Sequence, residues 1–197
     1  MKKKRIHELL SWVWLIAVLM MWFVFLWKHV DNILDSDMSG ELLLGKIMNE
    51  KNCFLTDSWF YSTEIRILNI QLIFKLVFSF FSDWHVVRCV SGILWIVMVL
   101  CSFYYLLCQM ECKKLFSYIA PIFILNFFGG FYSLILAGLY YSPHLCVSFI
   151  TIGLILHFAR TQNKYVRTTI FACACVLALL AGMGGLRLII NPELFTE

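Results

Sequence analysis

The chain has 197 residues, of which 61% are hydrophobic and only 14% charged, with a formal net charge of +4. A soluble domain is about half apolar and a quarter charged, so this composition excludes an ordinary soluble enzyme and a nucleic-acid-binding module. It predicts an all-α, polytopic integral membrane protein of about five transmembrane helices, forming one membrane domain because no Pro, Gly or Ser-rich linker divides the chain.

The spans are read from gaps between charges, since about 20 apolar residues cross a ~30 Å hydrocarbon core. The first runs over 9–27, from Leu9 to Trp27. It follows the basic block Lys2-Lys3-Lys4-Arg5 and lacks a small-residue cleavage pattern at its end, so it reads as an anchor and not as a cleaved signal. An outer loop then occupies 28–85. Within it Leu42, Leu43, Leu44, Ile47 and Met48 recur at helical spacing and predict a helix along the membrane surface. Asp37 or Ser39 is its expected N-cap. Phe54 to Tyr61 is aromatic and turn-prone, as suits a headgroup layer. Ile65 to Phe81 is apolar but carries Arg66, Asn69, Gln71 and Lys75, which predicts a second interfacial or re-entrant helix.

The second span is expected over 86–110, where Cys89 to Met110 is free of charge except Gln109's neutral amide. The run from Leu115 to Ala159 contains no Lys, Arg, Asp or Glu and is about twice the length of one span, so it must fold back. Tyr140-Tyr141-Ser142-Pro143-His144 marks the turn, giving spans at 115–139 and 145–159. The fifth span covers 168–186 and ends at Gly184-Gly185 and Arg187.

Lys2 to Arg5, Lys113-Lys114, and Arg160, Lys164 and Arg167 all fall on one side when the spans alternate. The positive-inside rule then places the N-terminus in the cytoplasm, and only Glu8 and Glu111 among the twelve acidic residues lie within. Eight cysteines are present, mostly in or near spans, where a thiol packs as a small apolar group. Cys108 and Cys112 share a helical face but lack the further ligands of a zinc site, so no metal site is assigned.

The outer loop opens on Asp35-Ser36-Asp37-Met38-Ser39-Gly40-Glu41, a group of three carboxylates directly after the first span. This layout resembles the glycosyltransferase C superfamily, of the protein O-mannosyltransferase and aminoarabinose-transferase type. Its members have a basic cytoplasmic N-terminus, one span, then an outer loop whose early aspartate is catalytic. Asp37 followed by Glu41, Leu44, Gly45, Lys46 and Met48, then Cys53-Phe54-Leu55-Thr56, resembles that register. Met38 stands where relatives carry glutamate, and Ser62-Thr63-Glu64-Ile65-Arg66 where several carry Lys-Pro-Pro. Relatives have more spans, so the chain looks like the front half of a longer enzyme.

The resemblance implies transfer of a sugar from a polyprenyl-phosphate donor, embedded in membrane lipid, to an acceptor outside the cytoplasm. Asp37 is then the base, with Asp35 as the alternative. Asp35 and Glu41 would orient the base or hold a divalent cation, the single cofactor the resemblance brings in. Arg66, Lys75, Arg187 and His144 are the candidates to face the donor phosphate or the acceptor. A second reading stays open: a non-catalytic scaffold or accessory subunit, assembled with a partner membrane protein that carries further spans. A transporter is disfavoured because the spans hold almost no charge. No nucleic-acid partner is expected.

Overall fold

The computed structural model describes residues 2–61, 69–125 and 138–183. Every regular element among them is helical: α1 (Lys2–His29), α2 (Ser36–Glu50), α3 (Gln71–Phe78), α4 (Trp84–Gln109), a short 3₁₀ turn (Lys113–Leu115), α5 (Phe116–Ile124), α6 (Ser142–Arg160) and α7 (Lys164–Met183). Three segments are long and apolar enough to cross a membrane, Arg5–His29, Trp84–Gln109 and Ser142–Arg160, which is compatible with a membrane protein.

Helix α4 is the central post. Its flanks touch α6, α1, α3 and α5. Against α1 it presents Gly92, where an added Cβ would lie 2.8 Å from Leu26 Cδ2, so the two helices pack closely. Helix α1 buries Leu15, Val18, Trp22 and Leu26, spaced three or four apart on one stripe. Its other faces expose Leu9, Trp14, Ile16 and Met20, each more than half accessible. Apolar residues all round a helix suit lipid contact outside and packing inside.

On another flank, α4 meets α3 and α6 through a second core in which Phe74, Val77, Val87, Trp95, Val99, Leu139 and Cys146 are buried together with Leu42 of α2. Helix α2 crosses α3 tightly at Gly45, where a Cβ would stand 2.5 Å from Phe74 Cβ and 3.2 Å from both Gln71 O and Lys75 N. The helix expected over Met38 to Met48 is present as Ser36–Glu50 and packs on α3. The helix expected between Ile65 and Phe81 is described only as Gln71–Phe78; the earlier part of that range, with Arg66, lies outside the described residues.

The turn read at Tyr140 to His144 lies slightly earlier. Helix α6 begins at Ser142, with Pro143 in its first turn, where the missing N–H would have no intrahelical partner anyway. Only Phe116–Ile124 of the segment expected over 115–139 is described as helix, and 126–137 lies outside the described residues. Helix α7 starts at Lys164, before the expected Thr168; the expected residues past Met183, with Arg187, are also outside those described.

Two helices end alike. After α2, Asn52 adopts φ 48°, and after α4, Glu111 adopts φ 61°. Cys53 N donates to Met48 O and Cys112 N to Leu107 O, so each end closes with a left-handed residue and a long return bond. Asparagine tolerates that backbone well; glutamate less so.

Candidate functional site

The helices run so that like-charged ends gather. At one end, Ser11 Oγ of α1 lies 2.7 Å from Ser117 Oγ of α5, and Arg160 of α6 pairs with Glu111 after α4 at 3.0 Å. Lys113, Lys114 and Lys164 belong to the same end. At the opposite end, Asp31 after α1 meets His85 at the start of α4, Oδ2 to Nδ1 2.7 Å, with Trp27 edge-on to the imidazole at 4.8 Å. The carboxylates Asp35 and Asp37 stand beside them. These contacts set α4 and α6 antiparallel to α1.

The acidic end is built around the first turn of α2. Asp35 is its N-cap: one carboxylate oxygen, Oδ1, accepts from Met38 N at 2.7 Å, while the residue's own carbonyl accepts from Ser39 Oγ. The cap expected at Asp37 or Ser39 is therefore corrected to Asp35, because the extended backbone at Asp35, with ψ 178°, aims its side chain at the open amides. The same Oδ1 also accepts from Tyr140 Oη at 2.8 Å. Tyr140 stands in the turn just before α6, so a chain separation of 105 residues is closed by one hydrogen bond.

Tyr140 follows Leu139, whose φ of 65° is left-handed and which is only 3% exposed. That conformation costs a branched residue of this kind roughly 1–2 kcal/mol, and the apolar core around the side chain holds it. Burial pushes the Tyr140 phenol well above its ordinary pKa, and the hydrogen bond to Asp35 adds to this. The phenol therefore keeps its proton and remains a donor to the carboxylate.

A second tie reaches the same turn. Arg88 of α4 is 3% exposed, and its Nη2 donates to Met38 Sδ at 3.0 Å. Asp31, Asp35 and Tyr140 lie within electrostatic range of the guanidinium. Arg88 was not singled out from sequence. The signal was available, an arginine four residues into an apolar helix, since such a buried charge needs carboxylate neighbours.

Asp37 lies between these two anchored neighbours, Asp35 and Met38, and it is exposed. Among the described residues no hydrogen bond or ion pair engages its carboxylate. Glu41, one turn on, is half-buried. His144 sits in the first turn of α6 at the same end, its ring 5.6 Å from that of Tyr141. Lys75 is elsewhere: Nζ donates to Cys53 O at 2.9 Å and lies 4.1 Å from the Phe54 ring centre. Those partners follow the far end of α2, roughly 20 Å from Asp37 at 1.5 Å per helical residue. Arg66 and Arg187 fall outside the described residues.

No three His, Cys, Asp or Glu side chains among the described residues converge to hold a metal ion. Of the carboxylates that the resemblance offers for a divalent cation, Asp35 already accepts two hydrogen bonds on Oδ1. Searches among family models, curated proteins and solved structures give no match to this chain.

Proposed function

We propose that this chain is a membrane protein whose acidic end works outside the cytoplasm as the site of a glycosyltransferase of the C type, moving a sugar from a polyprenyl-phosphate donor to a hydroxyl acceptor. The observation that carries the reading is Asp37: an exposed carboxylate, unengaged among the described residues, on a first helical turn whose neighbours on both sides are tied down. A base must offer a lone pair to the acceptor proton from a fixed position, and this placement supplies both conditions.

In the proposed step, Asp37 takes the proton of the acceptor hydroxyl. The acceptor oxygen bonds to the anomeric carbon of the sugar, the bond from that carbon to the phosphate oxygen breaks, and polyprenyl phosphate leaves with the electron pair. The apolar outer faces of α1 and α6 would let the polyprenyl tail stay in lipid while its head reaches the acidic end. A non-catalytic accessory subunit is the second reading. It is favoured by α7, which among its described side chains buries only Ile170 and leaves Tyr165, Phe171 and Leu179 open to a partner membrane protein.

The two readings separate on one assay. The chain in lipid nanodiscs is given polyprenyl-phosphate mannose or polyprenyl-phosphate aminoarabinose, and release of polyprenyl phosphate is followed. Turnover that disappears in Asp37→Asn supports the transferase. Equal release from wild type and variant, in well-folded preparations, supports the accessory subunit.

A further inference from the structure

The sequence leaves two aspartates competing for one role, and their surroundings differ. One oxygen of Asp35 is held by two donors, the amide of Met38 and the phenol of Tyr140. Asp37, two residues on, has no such ties among the described residues. We infer that Asp35 and Tyr140 form a clasp that positions Asp37, so that Asp35 is a positioning residue and the base is Asp37 alone. This rests on the transferase reading for what the clasp serves, but the clasp itself does not.

The clasp fixes two elements that the chain joins only distantly. Helix α2 is seated on α3 through Gly45 and Leu42, and the bond to Tyr140 adds an anchor at its first turn. That bond docks it on the turn before α6, and Arg88 ties Met38 to α4. The carboxylate of Asp37 is thereby presented from a turn anchored to two different helices. Leu139 supports the arrangement, since its burial among Leu42, Val99 and Cys146 holds the left-handed backbone that turns Tyr140 toward α2.

The chemistry of an asparagine makes the assignment testable. In Asp35→Asn the side-chain oxygen still accepts from Met38 N–H and from the phenol, so cap and clasp persist while the charge is lost. Asp35→Ala removes both, and Tyr140→Phe removes only the clasp. Hydrogen exchange of amides 36–41 in the full chain in nanodiscs reads the clasp without any assay of activity. We expect Tyr140→Phe and Asp35→Ala to speed exchange there by about tenfold or more, the loss of one hydrogen bond to a charged group, with Asp35→Asn near wild type.

Turnover of the same polyprenyl-phosphate sugars reads the role. Asp35→Asn is expected to retain kcat within about threefold, and Tyr140→Phe to lower kcat about tenfold at unchanged KM. Wild-type exchange at 36–41 in Tyr140→Phe would overturn the clasp. Loss of turnover in Asp35→Asn as complete as in Asp37→Asn would overturn the assignment of Asp35 to positioning. If wild type turns over neither donor, the transferase reading fails, and the exchange result still decides whether the clasp exists.

Discussion

The two ends of the helix bundle solve different problems. The basic end is closed by short connections: α4 reaches α5 through Glu111, Cys112 and a single 3₁₀ turn, and α6 reaches α7 across Thr161 to Asn163. Its cross-links, Ser11 with Ser117 and Arg160 with Glu111, reach across the fold, the first over 106 residues of chain. The acidic end carries two additional helices, α2 and α3, packed on each other with α3 against α4, and its ties also join distant parts of the chain. Both ends are therefore held by side chains meeting across the fold, but the second adds helices α2 and α3 and sets the first turn of α2 with Asp35, Tyr140 and Arg88. A site that must hold a reacting group still is better built at the second end.

The strongest way to break that contrast is to remove an exposed carboxylate at the acidic end that no hydrogen bond or ion pair engages among the described residues. Asp37→Asn is expected to lower sugar transfer by about a hundredfold or more, the usual scale for losing a general base, while the thermal unfolding midpoint in detergent stays within about 2 °C. A drop in both together would show Asp37 to be structural.

Next in size is the seat of α2 on α3. Gly45→Ala would force a methyl against Phe74 Cβ and the backbone of Gln71 and Lys75, none of which can swing aside. A loss of about 3 kcal/mol is expected in denaturant unfolding, with α2 released first. Gly153→Ala is the matched control away from the acidic end. The atoms nearest its added methyl belong to the Tyr105 side chain, which can give way, so about 1 kcal/mol is expected. Equal costs would mean that α2 is not seated as described.

At the basic end, Glu111→Gly removes a left-handed glutamate and also its exposed ion pair with Arg160. Relief of roughly 1 kcal/mol of backbone strain exceeds what such a pair contributes, so a small rise in the unfolding midpoint is expected.

The smallest effect concerns the loop after α2. The Lys51 ammonium, by hydrogen bond and charge, holds the Asp57 carboxyl below its ordinary pKa. A lowered folded-state pKa gives stability that is present above the unfolded value and is lost as pH falls through the folded one. Exchange across residues 51–61 should therefore quicken only on strong acidification, and Lys51→Met should flatten that dependence. Because Asp57 is fully exposed, salt should weaken the effect.

Much of this was legible in sequence because it depends on properties that need no partner. The apolar gaps gave α1, α4 and α6, since a run of about 20 uncharged residues has few other uses. The spacing of Leu42, Leu44 and Met48 gave α2, and Pro143 marked the start of α6. The gathering of basic residues at one end followed from counting charges across alternating helices. The candidate carboxylates were also visible, as a cluster beside a helix end.

Which carboxylate does what was not visible. Asp35 and Asp37 are the same residue two positions apart, and sequence gave either as base and Asp37 or Ser39 as cap. The backbone at Asp35 decided the cap, and Tyr140, 105 residues away, decided which oxygen is already engaged. Arg88 likewise reads as one charge in an apolar run until Met38 and the acidic end are placed around it. Composition and periodicity fix which segments are helices, because those depend on each segment's own solvent preference. Hydrogen bonds between distant side chains depend on where helices cross, and only the tertiary structure supplies that.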